Sequence, residues 1–289
     1  MSNISNVQQN IPLAPYTTFK IGGPAKFFAV VKNEGEIIES LKWTKENKQP
    51  YFILGHGANI LVSDKGFDGL VIKNEMRRLE IRDEEVTADS GVVLSELIGK
   101  CASMGLSGLE FLAGVPSTLG GAIFGNAGAP EKAIGNFVVS ARILDKGFKV
   151  KVLSKSECGF GYRQSVFQSN ELIVLSAALK MEKGNTEKII ESIKNLMLKK
   201  KETQDLENPS AGCVFKNADG YSAGQLIDEL GLKGKKIGQA QVSEKHANYI
   251  INLGGATADH VVQLISFIKQ QVRDKKGVQL QEEIKYIGF

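Results

Sequence analysis

The feature that most constrains this chain is an uncharged, glycine-rich stretch at 111–130, FLAGVPSTLGGAIFGNAGAP. Its length and lack of charge suit a membrane span, but five glycines and two prolines interrupt a continuous apolar helix. The stretch therefore predicts a folded loop region with a short helix near Leu119, capped by Ser117 or Thr118. A plain buried helix would not use so many glycines. Close packing against a flat cofactor or a pyrophosphate explains them better, and dense helix–sheet packing is the alternative.

A second glycine motif, GHGAN at 55–59, lies between the apolar runs 51–54 and 60–62. Backbone N–H groups in such a loop can surround an anionic group. The motif is not a Rossmann fingerprint, because Ile60 stands where the third glycine belongs and a strand follows instead of a helix. A tight hairpin without a ligand is equally compatible with the motif.

Composition and charge exclude several classes of protein. A length of 289 residues suggests two domains, and 42% hydrophobic with 24% charged residues excludes a disordered chain or a coiled coil. The net charge, 36 − 32 = +4, comes without a basic stripe, so no nucleic-acid partner is expected. The three cysteines include no CxxC pair, which argues against a disulfide framework or a metal site. The N-terminal residues lack a signal-peptide pattern, so a cytoplasmic location without membrane insertion is expected.

Periodicity predicts mixed helices and strands without regular alternation, an α+β fold. A strand at 26–31, a helix at 34–48 and a strand at 51–54 indicate a βαβ unit, and a helix follows at 92–104. The pattern changes near 183–186, where a second globular unit begins. Further strands are predicted at 60–62, 70–72, 137–144, 148–153, 171–179, 239–242, 249–252 and 280–287, and further helices at 186–201, 221–230 and 257–275.

Three more motifs carry side chains suited to chemistry. ECGFGYRQSVF (157–167) presents Arg163 from a turn, and NPSAGCVFKN (208–217) surrounds Cys213 with small residues. LQEEIKYIG (280–288) holds two adjacent carboxylates, Glu282 and Glu283, which strand alternation places on opposite faces. Each motif also has an ordinary structural explanation: a surface arginine, a buried small cysteine and a solvated edge strand.

Taken together and in this order, the five motifs resemble the UDP-N-acetylenolpyruvoylglucosamine reductase family. The resemblance runs from about Thr17 to Gly288, and the short spacing from FGYR to SAGC is similar to the type II subclass, which lacks an inserted tyrosine-bearing loop. It implies an FAD-binding region of the p-cresol methylhydroxylase/vanillyl-alcohol-oxidase type at 1–183, with two subdomains split near 75. A smaller α+β substrate-binding domain at 184–289 is also implied. A monomeric protein is expected, although the sequence itself does not give the oligomeric state.

The resemblance further implies a bacterial flavoenzyme of peptidoglycan precursor synthesis. NADPH would reduce non-covalently bound FAD, and the enolpyruvyl ether of UDP-N-acetylglucosamine would then be reduced to UDP-N-acetylmuramate. The implied cofactor-binding residues are Gly55, His56, Gly57, Ala58, Asn59, Ile60, Leu61, Gly114, Pro116, Ser117, Gly120, Gly121, Asn126, Ala127 and Gly128.

The resemblance also implies the catalytic roles. Arg163 would stabilise the developing enolate beside the substrate carboxylate, and Glu283 would work with it, either protonated or offset by the cation. Cys213 would protonate the α-carbon in place of the family's usual serine; an ordinary thiol, with a pKa of about 8.5, is mostly protonated at neutral pH. The implied substrate-binding residues are Tyr162, Lys201, Lys216, Asn217 and His246. Further departures from the family pattern are Asp205, Ala218, Glu282 and Lys285.

Two other functions are compatible with parts of the sequence. An FAD-dependent alcohol or sugar oxidase of the same flavin-domain superfamily could attach its flavin covalently through a histidine, and His56 lies in the first glycine loop. The motifs at Arg163, Cys213 and Glu283 have no reason to occur in such an oxidase. A nucleotide-binding module without catalysis is the third possibility, and a flavin-free purified protein would support it.

Overall fold

The computed structural model describes residues 7–129, 131–169, 172–217 and 220–289, so the departure at Ala218 lies outside the described residues. The α-helices of this part of the chain are α1 Glu34–Glu46, α2 Leu94–Ser103, α3 Leu119–Phe124, α4 Thr186–Thr203, α5 Ala223–Glu229 and α6 Ala258–Lys276. The strands are β1 Gln8–Pro12, β2 Pro24–Val31, β3 Tyr51–Leu54, β4 Ile60–Val62, β5 Phe67–Asn74, β6 Leu79–Arg82, β7 Glu85–Asp89, β8 Leu106–Ser107, β9 Gly128–Ala129, β10 Lys132–Ala133, β11 Val138–Leu144, β12 Val150–Ser154, β13 Ile173–Lys180, β14 Glu182–Lys183, β15 Ser210–Cys213, β16 Lys236–Ile237, β17 Ala240–Val242, β18 Tyr249–Asn252 and β19 Lys285–Ile287.

Packing divides the chain into two compact units. Beyond the first seven residues, unit 1 contains Ala29–His56 and Ile72–Lys199, and unit 2 contains Gln8–Phe28, Gly57–Val71 and Lys200–Phe289. A four-stranded sheet has the order β1-β2-β5-β3, and β2 and β5 each run from one unit into the other. The predicted strand–helix–strand unit is present as β2-α1-β3, but β5 lies between its two strands.

Unit 1 is built on an antiparallel sheet of order β12-β11-β13-β7-β6. Its inner face is made of buried small and branched residues at alternate positions, such as Val86 and Ala88 in β7 and Ala177 and Leu179 in β13. Helix α3 packs on β7 and β13. The sheet therefore packs against one face of α3, and the opposite face of the helix is exposed.

Unit 2 has an antiparallel sheet of order β15-β18-β17-β16, with α5 and α6 in the same hydrophobic core. Helix α6 starts at a capping box formed by Thr257 and His260, and the Asp64 carboxylate also accepts from the backbone N–H of Ala258 at 2.9 Å. The helix ends at Gly277, whose φ of 68° is the left-handed C-cap that glycine favours. These contacts tie the segment 57–71 to the C-terminal third of the chain.

The α+β prediction is confirmed, since helices and antiparallel strands follow one another without regular alternation. In the described part of the chain, no helix is long and apolar enough to cross a membrane. The uncharged stretch instead forms turns and the six-residue helix α3, as its glycines and prolines predict.

Candidate active site

The two glycine motifs meet within unit 1. A Cβ placed on Gly55 would lie 2.6 Å from Oγ1 of Thr118, and the same oxygen caps α3 by accepting from the backbone N–H of Gly121. The ammonium group of Lys73 donates to the carbonyl oxygen of Gly55, and burial lowers the pKa of that lysine. Sequence reasoning missed Lys73, although a lysine directly after the buried run 70–72 is a signal.

Adjacent glycines of α3 have different structural reasons. Gly120 lies against Ser90, where an added Cβ would come within 2.7 Å of the serine Cβ, so packing alone requires glycine there. Gly121 is exposed, and an added Cβ would meet the hydroxyl of Ser117 at 2.9 Å and Oγ1 of Thr118 at 3.6 Å. Since serine can rotate away, protein packing does not explain Gly121. An exposed helical glycine that the protein does not need fits a face reserved for a ligand.

The arginine motif lies against the end of the second glycine motif, also in unit 1. Arg163 has a left-handed backbone with a φ of 52°, and its guanidinium donates to the carbonyl of Gly128. Asn126 is buried and donates from Nδ2 to the carbonyl of Gly161 at 2.8 Å. The exposed ring of Tyr162 has its centroid 5.6 Å from the guanidinium carbon. Arg163, Tyr162, Asn126 and Gly128 are therefore neighbours.

The remaining predicted residues of this region line its turns. Gly114 and Pro116 are exposed in the turn before α3, and Gly114 has a φ of 77°. Ala127 donates from its backbone N–H to the carbonyl of Ala122 at 2.8 Å. His56 is exposed, two residues after the end of β3.

The rest of the first glycine loop belongs to unit 2. Gly57 has a φ of 68°, and a side chain there would overlap the carbonyl oxygen of Tyr16. Close backbone approach, rather than a ligand, is sufficient to require this glycine. The half-buried Ala58 follows, and the side chains of Ile60 and Leu61 point into the protein core.

Strand β4 pairs in parallel with the C-terminal strand β19, so the hairpin alternative for the first glycine motif is wrong. Asn59 donates from Nδ2 to the carbonyl of Glu283 at 3.3 Å and accepts from the backbone N–H of Lys285 at 3.0 Å. This pairing places Glu283 directly beside the end of the loop.

Backbone hydrogen bonding in unit 2 brings the segments that carry Cys213 and Glu283 together. The backbone N–H of Glu283 donates to the carbonyl of Val214 at 2.7 Å, and Cys213 is paired with Tyr249 across β15 and β18. Burial raises the pKa of the Tyr249 phenol, and the nearness of Cys213 and Glu283, each of which becomes negative on losing its proton, raises it further. Glu282 instead forms an ion pair with Lys269 of α6 at 2.8 Å, so the two adjacent glutamates have separate surroundings.

A cavity of about 670 Å³ opens beside Cys213 in unit 2. Among its lining residues are Cys213, Asn217, Lys233, Lys245 and His246. Burial lowers the pKa of the His246 imidazole, and the charge of Lys233 lowers it as well, so the ring is neutral at pH 7. The lining also contains the carboxylates of Asp228 and Glu229, and Asp228 forms an ion pair with Lys233 at 2.7 Å. A thiol, an amide, an imidazole and charged groups of both signs suit a polar ligand.

Three predicted substrate residues, Tyr162, Lys201 and Lys216, lie outside this lining. Lys201 is exposed near the end of α4, whereas burial lowers the pKa of the preceding Lys200. Lys216 is half-buried, and its backbone N–H donates to the carbonyl of Gln281 at 2.8 Å. Asp205, another departure from the family pattern, accepts from the backbone N–H of Asn208 at 3.1 Å.

The three thiols are expected to differ in their reactivity toward iodoacetamide. Cys101 and Cys158 are buried, and burial raises the pKa of each to about 11, so neither provides an accessible thiolate at pH 8. Cys213 is half-buried at the cavity. Peptide mass spectrometry of the native protein should find the label on Cys213 first, and all three cysteines should be labelled after unfolding in urea. Faster labelling of Cys101 or Cys158 in the native protein would contradict this arrangement.

Comparison with known proteins identifies the class of the larger region. Residues 25–153 match the family model described as an FAD binding domain. Both glycine motifs fall within this match. The α+β fold and this domain together define an FAD-binding protein.

The C-terminal region and the whole chain identify the family. Residues 204–287 match the model described as the C-terminal domain of UDP-N-acetylenolpyruvoylglucosamine reductase. The reductase of that name from Caldanaerobacter subterraneus subsp. tengcongensis is 43% identical over 96% of this chain and 93% of its own length. The one from Clostridium tetani is 41% identical over 98% of this chain and 92% of its own length. The crystal structure of the Thermus caldophilus reductase superimposes with a TM-score of 0.83 at 33% identity, covering 97% of this chain and 98% of that one. The chain belongs to the UDP-N-acetylenolpyruvoylglucosamine reductase family, whose members are FAD-dependent oxidoreductases.

Proposed function

We propose that this protein reduces the enolpyruvyl ether of UDP-N-acetylglucosamine to UDP-N-acetylmuramate, with NADPH as the reductant, in bacterial peptidoglycan precursor synthesis. The cavity beside Cys213 carries the proposal, because its volume of about 670 Å³ suits a nucleotide-sized ligand. Lys245 on its wall suits a phosphate group, whereas Lys233 is ion-paired with Asp228, and the thiol suits proton transfer. The full-length similarity to enzymes of this name supports the same reaction.

FAD is held non-covalently in this proposal. The backbone of Gly55–Leu61 and of Gly114–Gly121 would hold its pyrophosphate, with Asn126–Gly128 nearby. The exposed face of α3 at Gly121 supports this placement, because the protein itself leaves that space open. When bound, FAD supplies hydride transfer, which amino-acid side chains do not provide.

In this proposal, side chains of the protein stabilise the charge that develops on the substrate and donate a proton to it. Hydride addition to the β-carbon of the enolpyruvyl group leaves negative charge on the α-carbon and its carboxylate. In this proposal the planar guanidinium of Arg163 stabilises that charge, with Glu283 beside the carboxylate. The Cys213 thiol then donates its proton to the α-carbon and becomes a thiolate.

Other residues bind the substrate in this proposal. They are Tyr162, Lys201, Lys216, Asn217 and His246. The presence of Asn217 and His246 in the cavity lining supports their inclusion.

The proposed functional domains are the FAD-binding region at 1–183, in two subdomains split near 75, and the substrate-binding domain at 184–289. The family matches at 25–153 and 204–287 support this division. The two compact units are defined by backbone packing alone and do not indicate which ligand each part of the chain binds. We further propose a monomeric cytoplasmic protein that binds neither nucleic acid nor membranes.

The visible spectrum of the purified protein tests the proposed function. Two flavin bands are expected, with bleaching by NADPH under anaerobic conditions and recovery on adding the enolpyruvyl substrate. Flavin should remain in the supernatant after acid precipitation, since the bond is non-covalent. Flavin retained in the pellet would instead support an oxidase with covalent attachment through His56, and a colourless protein would support a module without catalysis.

A further inference from the structure

The backbone of the arginine turn requires support from outside the turn. Arg163 has a φ of 52°, in the left-handed region that a residue with a Cβ adopts reluctantly. The turn itself is closed by backbone hydrogen bonds between Gly161 and Gln164, at 3.0 and 3.1 Å. Since the side chain leaves the backbone at this strained position, its direction depends on what holds the turn.

Gln168 holds the turn from one side. Its Nε2 donates to the carbonyl of Arg163 at 3.0 Å and to the carbonyl of Phe124 at 2.8 Å. A primary amide has two N–H bonds, so one is available for each carbonyl. Phe124 is the last residue of α3, and carbonyls at a helix end need partners from outside the helix. Gln168 therefore links the end of α3 directly to the backbone of Arg163.

Two neighbouring side chains reinforce this link. Ser165 donates from its hydroxyl to the same Phe124 carbonyl at 2.7 Å. Asn126, which is 7% exposed, donates to the carbonyl of Gly161 at 2.8 Å and accepts from the backbone N–H of Gly135 at 2.9 Å. The carbonyls of Gly161 and Arg163 are thus each held by an amide side chain. Asn126 already belongs to the second glycine motif, whereas Gln168 has no role in the proposed mechanism.

We propose that Gln168 is a positioning residue for the reaction, holding Arg163 in the left-handed conformation that directs its guanidinium. This inference rests on the proposed role of Arg163 in stabilising the enolate. Because enolate charge develops only when the substrate is reduced, Gln168 matters for reoxidation of the flavin by substrate and not for its reduction by NADPH.

Gln168→Glu tests the proposal with little change of shape. A carboxylate accepts hydrogen bonds but cannot donate to two carbonyls at neutral pH. Stopped-flow absorbance is expected to show reoxidation by substrate slowed at least tenfold, with reduction by NADPH within twofold of wild type. Gln164→Glu is the matched control, because it makes the same chemical change on an exposed side chain of the same turn and should leave both rates unchanged. Gln168→Lys restores N–H donors and should recover much of the rate.

A double-mutant cycle separates positioning from a general structural effect. If Gln168 acts through Arg163, adding Gln168→Ala to Arg163→Ala causes no further slowing of reoxidation. Additive slowing, or a wild-type reoxidation rate in both Gln168→Glu and Gln168→Ala, overturns the inference. Slow reoxidation in Arg163→Ala, together with wild-type reoxidation rates in the Gln168 variants, rejects only the positioning role of Gln168. Normal reoxidation in Arg163→Ala rejects the catalytic role of the arginine and the inference with it.

Discussion

Cys213→Ala is expected to slow reoxidation of the reduced flavin by the enolpyruvyl substrate about 10²-fold or more. This is the usual contribution of a positioned general acid, and alanine has no proton to give. Reduction of the flavin by NADPH should be unaffected, because proton delivery to the α-carbon belongs only to the second half-reaction. Anaerobic stopped-flow measurement of the two half-reactions separates these effects.

Cys213→Ser is the matched control for this prediction. Serine keeps a hydroxyl proton at the same position. Residue 213 is half-buried at the end of β15, so a serine side chain is accommodated there as well as a cysteine. The serine variant should keep much of the reoxidation rate. Reoxidation of the alanine variant as fast as wild type would show that Cys213 is a small structural side chain and would reject the proposed proton transfer.

Gly121→Leu is expected to weaken FAD binding at least tenfold, which corresponds to about 1.4 kcal/mol. An added Cβ would come within 2.9 Å of the Ser117 hydroxyl, which must rotate away, and 3.6 Å from Oγ1 of Thr118, so the exposed face of α3 can then accommodate the new side chain. Leucine also favours helix, so the flavin-free protein should be no less stable than wild type. The flavin-to-protein ratio after gel filtration and the thermal unfolding temperature of the flavin-free form measure the two effects.

Gly99 provides the comparison for Gly121. It lies on an exposed face of α2, and an added Cβ would meet no atom within 4 Å. Gly99→Leu should therefore leave flavin binding unchanged while gaining up to about 1 kcal/mol of helix stability. Equal flavin content in the two leucine variants would mean that the open face at Gly121 is not the cofactor site.

The sequence by itself determined the helices and the chemical motifs. The apolar period of α6 predicts a helix at 257–275, and the structure has Ala258–Lys276. The prediction for α4 is equally close, at 186–201 against Thr186–Thr203. A helix forms its hydrogen bonds within one segment and buries one face, so both properties are present in the local pattern. The order of the five motifs likewise identified a family that the comparisons confirm.

Only the tertiary structure decided which segments pair. Strand β4 is recognisable from its apolar residues, but its partner is β19 near the C-terminus, and β5 separates the strands of the predicted βαβ unit. The predicted terminal strand at 280–287 is shorter, Lys285–Ile287, because Glu283 bonds to the carbonyl of Val214 instead. Gln168 and Lys73 act on carbonyls of residues distant in sequence, which no local pattern specifies. A strand or a side-chain amide leaves its hydrogen-bonding groups open to any partner, so the choice depends on how the remote segments are buried together.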